Sequence, residues 1–429
     1  MRIRKLHLHN FRNFSDRTFE FPDLFTVVIG DNGKGKSTIL QGLRLAAATF
    51  LLGLDEAERI HIRKEDIRRI ESIKRFAPQS NCFFEADGTL DKKTISWKRT
   101  LVRENGRTDI KDAAAIINAA KSKNDLVNKQ LEEGIDLPVL CYFSTGRLWA
   151  ESKQTIQLKK KGSRLKDGYA RCLDFKTDKT SPLSWIKSTF YKKLKGREES
   201  VLLDAVFEAI STCVPGWTAL EWDEDYDDLF GLYKGEDGVS VQIPLYYLSD
   251  GQRTMAGMAA EIAYRCVVLN PHYGREAVKK SSGIVLIDEI DLHLHPTWQK
   301  SIVELLKAAF PSLQFVVTTH SPFIIQSLRC EELINLDRFT DIHPKSLSLE
   351  EVAENVMGVP SPFALDNDRE AEAAAAYLDQ LKPTVATRGI DSQSRDPNTE
   401  NLEELEGKIS DPALRALLQM KRLENQIKP

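Results

Sequence analysis

A chain of 429 residues exceeds the length at which a single hydrophobic core stops growing, which leaves one large domain with insertions or two domains. Its 41% hydrophobic and 29% charged residues fit an ordinary globular protein and exclude a disordered or membrane-embedded one. The formal net charge of −3 points to no anionic or cationic partner by itself, so any basic footprint must be local.

Six scattered cysteines, without a C-x-x-C pair or a histidine at zinc-finger spacing, read as reduced thiols. No apolar signal core follows Met1, and no stretch approaches the roughly 20 apolar residues of a membrane span. A cytoplasmic protein without a membrane partner is expected.

In chain order, residues 3–8 and 18–29 alternate or run apolar like strands, and Val27-Val28-Ile29 leads into Gly30. From Ser37 to Leu52 the apolar residues recur at helical spacing, so strand, glycine-rich loop and helix follow one another. Residues 82–102 predict a hairpin with Asp87-Gly88 among its turn residues. A polar helix near 110–131 and a buried strand over 137–143 come next. Between 151 and 200 there are fourteen Lys or Arg against six Asp or Glu, with aromatics interleaved. The acidic run 221–228 follows, read as a solvated loop before strands at 229–233 and 239–247. A helix over 251–269, an uninterrupted apolar strand over 284–287, a helix opened by Pro296 and a strand over 315–318 restore a β/α alternation. Residues from about 383 to 400 lack periodicity and read as a linker; a short helical pair with a leucine stripe closes the chain.

The chemistry begins at Gly30-Asp31-Asn32-Gly33-Lys34-Gly35-Lys36-Ser37, which fits the phosphate-binding loop G-x-x-x-x-G-K-[ST] in its required strand-to-helix setting. Glycines let backbone N–H groups curl around phosphate oxygens, and the helix N-terminus adds partial positive charge. Asn32, Gly33, Gly35, Lys36, Ser37 and Thr38 are thus the candidate ATP contacts, with Lys36 reaching the β- and γ-phosphates. The Ser37 hydroxyl is the candidate Mg²⁺ ligand. Ile284-Val285-Leu286-Ile287 delivers two carboxylates at a strand end: Asp288 to hold Mg²⁺ and Glu289 to polarise the attacking water.

Leu248-Ser249-Asp250-Gly251-Gln252 resembles the signature L-S-G-G-Q of the ABC ATPases, with Asp250 in place of the first glycine. The segment Ile290–Pro296 stands where that family has its D-loop, with Asp291 its acid, and His320 stands where the family has a switch histidine. Within the class, the opening Leu6-His7-Leu8-His9-Asn10-Phe11-Arg12-Asn13-Phe14 is similar to the compact RecF-like and OLD-like ATPases, the Septu antiphage and retron-encoded ATPases among them. The resemblance implies an α/β fold: an ABC-type P-loop head, with a mixed β-sheet and helices on both faces, an inserted helical/β lobe and a small C-terminal helical segment. It also implies Arg12 and Asn13 near the nucleotide, and ATP shared between head-to-tail protomers, with Leu248, Ser249, Gly251 and Gln252 contributed by the opposite subunit. Glu289 and His320 are then the catalytic pair. Where the family has a Q-loop glutamine, none follows 137–143 unambiguously; Gln154 and Gln157 are the nearest.

The expected organisation is an N-terminal core half over 1–54, an inserted lobe over 55–245, a C-terminal core half over 246–340, a helical extension over 341–382, a linker over 383–400 and a partner-docking segment over 401–429. Lys159, Lys160, Lys161 and Arg164 in the basic segment are candidates for a nucleic-acid backbone, such as DNA, or simply a solvated face. Too few residues follow His320 for the Toprim nuclease of OLD proteins, and no H-N-H signature is present. The expectation is an ATPase of a Septu-like antiphage system that controls a separate HNH nuclease as a homodimer or higher oligomer. The alternative is a RecF-like DNA-repair ATPase without such a partner; the missing coiled coil disfavours a cohesin-like role.

Overall fold

The computed structural model describes residues 1–72, 75–132, 134–146, 163–175, 180–195, 200–234, 238–337, 343–359 and 372–378, together with 402, 405, 407–409, 415 and 418–422. The chain opens with a hairpin, β1 (Arg2–Phe11) and β2 (Phe14–Glu20), then enters β3 (Phe25–Ile29), the glycine-rich loop and α1 (Lys36–Leu51). A short hairpin, β4 (Arg69–Ser72) and β5 (Arg75–Pro78), precedes a long one, β6 (Cys82–Leu90) and β7 (Lys93–Leu101). Next come α2 (Ala114–Asn128) and β8 (Val139–Phe143). Helices α3 (Arg164–Tyr169), α4 (Thr180–Leu194) and α5 (Ser200–Cys213) lead to the meander β9 (Trp217–Asp223), β10 (Asp228–Lys234) and β11 (Ser240–Pro244), and then to α6 (Asp250–Leu269). The remainder is α7 (Ala277–Lys280), β12 (Gly283–Ile287), α8 (Pro296–Gln299), α9 (Ile302–Ala309), β13 (Leu313–Thr318), α10 (Pro322–Gln326) and β14 (Leu333–Asn335).

The continuous apolar runs form a parallel sheet in the order β14-β3-β13-β12-β8, whose central strands are buried along their whole length because both faces are covered. The alternating segments form an antiparallel sheet, β2-β1-β6-β7. Helix α1 packs against both sheets, and every residue but Ser37 is buried. Gly42 admits Leu6 and Leu8 of β1, and Trp97 Nε1 of β7 donates to the Ala46 carbonyl at 3.1 Å. The two sheets are stitched directly by fully buried Gln314 of β13. Its Oε1 accepts the Ile3 N–H at 2.8 Å and its Nε2 donates to the Ile3 carbonyl at 2.8 Å, imitating a strand neighbour. The α/β ABC-type head is therefore present, its mixed sheet built as a parallel and an antiparallel sheet clasping one helix.

Several local expectations are corrected. The β6–β7 turn lies at Asp91-Lys92, both in left-handed backbone (φ 52° and 64°), and Gly88 sits inside β6. A Cβ on Gly88 would stand 2.1 Å from the Arg2 carbonyl, so that glycine serves close strand approach. The acidic run is not a plain loop: Glu221-Trp222-Asp223 belongs to β9, with Trp222 buried, and Asp223 Oδ1 accepts the N–H groups of Asp225 and Tyr226 to close the turn. The single helix expected after Pro296 is divided into α8 and α9. The segment 55–245, expected as an inserted lobe, also contributes to the core sheets, because β6 pairs with β1 and β8 with β12; sheet pairing is non-local and invisible to composition.

The chain divides into two compact units, Met1–Val352 and Ala353–Pro429. The second has its own small core of Ala373, Ala374, Tyr377, Leu402, Ile409 and Leu418, with Leu378 and Leu405 packed against it. Leu402 and Leu418, in the segment expected either to dock a partner or to pack on its own domain, belong to this core. Leu414 and Leu417 of the same segment lie outside the described residues, as does the linker 383–400. Five of the six free cysteines are buried and Cys330 is partly so. Among the described residues no helix is long and apolar enough to cross a membrane.

Candidate functional site

At the C-terminal end of β3 the loop 30–37 turns through three glycines with positive φ: Gly30 (150°), Gly33 (83°) and Gly35 (104°). Gly35 is doubly required, because a Cβ there would lie 2.6 Å from the ring of Phe14, the first residue of β2. Lys36 folds back over the loop, its Nζ donating to the carbonyls of Gly30 at 2.6 Å and Asp31 at 3.1 Å. Burial lowers the Lys36 pKa below its ordinary value, against the pull of Asp337, Asp288 and Glu289.

Parallel pairing of β8, β12 and β13 brings the two acids to the foot of this loop. Ser37 Oγ donates to Asp288 Oδ2 at 3.0 Å, and Thr318 Oγ1 donates to Asp288 Oδ1 at 2.6 Å. The Asp288 N–H goes to the Phe143 carbonyl at 2.8 Å. Glu289 takes left-handed backbone (φ 51°), and its N–H donates to the same Thr318 hydroxyl at 2.7 Å. One threonine therefore holds the carboxylate of Asp288 and the backbone of Glu289. Next to it Thr319 Oγ1 donates to Asp291 at 2.5 Å, tying the segment after the acids to the end of β13. Asn13, Asn32, Gly33, Gly35, Lys36, Ser37, Thr38, Asp288, Glu289 and His320 line one cavity of about 210 Å³. Hydroxyl and carboxylate oxygens 3.0 Å apart suit Mg²⁺, whose octahedral shell at about 2.0–2.1 Å places neighbouring oxygens about 2.9 Å from one another.

The loop is braced from outside. Asp337, two residues beyond β14, accepts the Asp31 N–H at 2.6 Å and pairs with Lys34 Nζ at 3.1 Å. Burial would raise its pKa, but the Asp31 N–H and Lys34 outweigh burial and hold it below the ordinary carboxylate value. Asn13 Nδ2 donates to the Gly33 carbonyl at 2.5 Å. Arg12, expected beside the nucleotide, does not line the cavity; buried Asp66 holds its guanidinium at 2.8 and 2.9 Å. Thr318 and Asp337 were missed by sequence reading. Thr318 could have been suspected from the Thr-Thr pair ending an apolar strand, whereas Asp337 carries no local signal.

The signature segment lies elsewhere on the surface. Ser249 caps α6 in a capping box with Gln252: its Oγ accepts the Gln252 N–H at 3.4 Å, and its N–H donates to Gln252 Oε1 at 3.1 Å. Leu248 is buried, while Ser249 and Asp250 are exposed, Asp250 pairing with Arg253. Gly251 fits because a Cβ would stand 2.6 Å from the His293 carbonyl, which presses the signature onto the segment holding Asp291. None of residues 248–252 lines the cavity. In the basic segment, Arg164 donates from Nε to the Leu269 carbonyl at 2.6 Å and from its terminal nitrogen to the Ile135 carbonyl. It caps the end of α6 rather than facing a nucleic acid. Lys159, Lys160 and Lys161 lie outside the described residues, as do Gln154 and Gln157.

A family profile described as an AAA domain matches residues 5–210. The probable ATPase of retron Vc95 from Vibrio cholerae is 25% identical over 78% of this chain and 73% of its own. The probable ATPase of retron Ec83 from Escherichia coli is 37% identical over 31% of this chain and 23% of its own. The Septu protein PtuA from Bacillus thuringiensis is 36% identical over 32% of this chain and 41% of its own, so this chain spans well under two thirds of those two relatives. Fold and site define a P-loop ATPase of the ABC type. Within that class the chain is similar to the retron and Septu ATPases.

Proposed function

We propose that this chain hydrolyses ATP as a dimeric clamp and thereby governs a separate nuclease in a bacterial antiphage system. The observation that carries the reading is the hydrogen-bonded set Ser37–Asp288–Thr318–Glu289, which aims one acid at a metal position beside the phosphate loop and the next at the cavity. Backbone N–H groups of residues 33–38 and the N-terminus of α1 would receive the β- and γ-phosphates. Lys36 would exchange its two carbonyl partners for phosphate oxygens. Ser37 and Asp288 would hold Mg²⁺, which when bound neutralises charge on the phosphates. Glu289 orients a water and takes its proton; His320, across the same cavity, contacts the transferred phosphoryl group.

Ser249 stands exposed at a helix N-terminus outside this cavity, which supports a composite site in which a second copy presents its signature to the γ-phosphate. The names of the retron and Septu relatives support the defence role, and the family resemblance supports an HNH nuclease as the partner. Residues 353–429, a unit with its own core, form the body we assign to docking that partner.

The test is a pair of substitutions. Lys36→Ala should lose ATP binding. Glu289→Gln should keep it, lose about 10²–10⁴-fold in hydrolysis rate and accumulate as a dimer with MgATP in light scattering. Hydrolysis at the wild-type rate by Glu289→Gln would remove the glutamate from the mechanism.

A further inference from the structure

At the opposite end of the parallel sheet, where β8, β12 and β13 begin, lies a second cavity of about 840 Å³, walled by α2 and the β6–β7 turn. Its size falls in the range of small-molecule sites, about 300–1,000 Å³. Arg2, Lys92, Lys93, Lys123 and Lys280 line it against only two carboxylates, Asp91 and Asp136. Both acids are already engaged: Asp91 with Lys123 at 2.8 Å, and Asp136 with His272 at 2.9 Å. Arg2 reaches Asp23 at 3.6 Å, outside the cavity lining. Lys92, Lys93 and Lys280 make no ion pair among the described residues.

A second observation points the same way. The β6–β7 turn places both Asp91 and Lys92 in left-handed backbone, a conformation that an Asn-Gly or Asp-Gly pair adopts at lower energy. A lysine stands at Lys92 where glycine would relieve the turn, and it stands on the rim of the cleft.

We infer that this cleft is an anion site for a small phosphorylated ligand of nucleotide size, distinct from the phosphate loop. Lys92, Lys93 and Lys280 supply its charge, and the Lys123–Asp91 pair ties the β6–β7 turn to α2 at its wall. A cleft of about 840 Å³ is sized for a compact ligand rather than for a nucleic-acid strand.

Calorimetry on the full chain carrying Lys36→Ala, at low salt, with inorganic tripolyphosphate as probe, tests the site. The expected result is about one equivalent bound. Adding Lys92→Ala and Lys93→Ala should weaken that binding at least about tenfold with an unchanged circular dichroism spectrum. Absence of binding, or binding indifferent to the two lysines, overturns the inference. Lysine-dependent capture of a single-stranded oligonucleotide in place of tripolyphosphate overturns the assignment to a small ligand.

Discussion

Thr318 illustrates how little freedom the two acids have. Its hydroxyl donates to Asp288 and accepts from the Glu289 N–H, and it is fully buried. Thr318→Val keeps the shape but leaves that N–H without its acceptor, a loss of about 1–3 kcal/mol. Its steady-state kinetics should show kcat reduced at least about tenfold with KM little changed, since the loss falls on the acid that acts in the chemical step. Thr318→Ser should restore the rate, and a fully active Thr318→Val would mean the hydroxyl is dispensable. Asp337 acts on the loop instead. Its carboxyl is held below the ordinary value in the folded protein, so its contribution to stability is present above the unfolded-state pKa and lost as pH falls through the folded one. The melting-temperature gap between wild type and Asp337→Asn should therefore be full at pH 6–7 and shrink below about pH 4. A gap constant down to pH 3 would contradict the ion pair.

Elements meet through side chains that sequence periodicity does not reveal. Gln314 lies in β13, just before the strand that the sequence predicts over 315–318. Only the neighbouring β1 explains why an amide belongs there. Gln314→Leu should orphan the Ile3 N–H and lower stability by about 1–3 kcal/mol, measurable by urea denaturation with an unchanged m-value. If stability is unaffected, the Gln314 amide is not what holds the two sheets together. Gly35 and Gly251 show the same dependence on neighbours. Each looks like a motif glycine, yet the ring of Phe14 and the carbonyl of His293 are what exclude a Cβ. The misplaced β6–β7 turn has a related cause: an Asp-Gly pair normally marks a hairpin turn, but here close approach of β1 claims Gly88 for the strand.

For the whole molecule, the two-unit division sets the relevant deletion. Since Leu402, Ile409 and Leu418 share a core with Tyr377, removing only the last helix would unravel that core, whereas removing 353–429 takes the unit entire. The shortened chain should bind ATP like the full one and no longer co-purify with a nuclease partner; retained co-purification would place docking in 1–352. The sequence by itself determined the phosphate loop, the paired acids, the alternation of strand and helix and the apolar strands of the parallel sheet. These are encoded in local spacing and in which face of an element must leave water. Tertiary structure alone decided that β6 and β8 join the core, that Thr318 and Asp337 set the acids and the loop, that Arg12 serves Asp66, and that basic residues gather around a second cleft. Each of those depends on which distant strands lie side by side, and strand pairing is a non-local choice that no window of sequence contains.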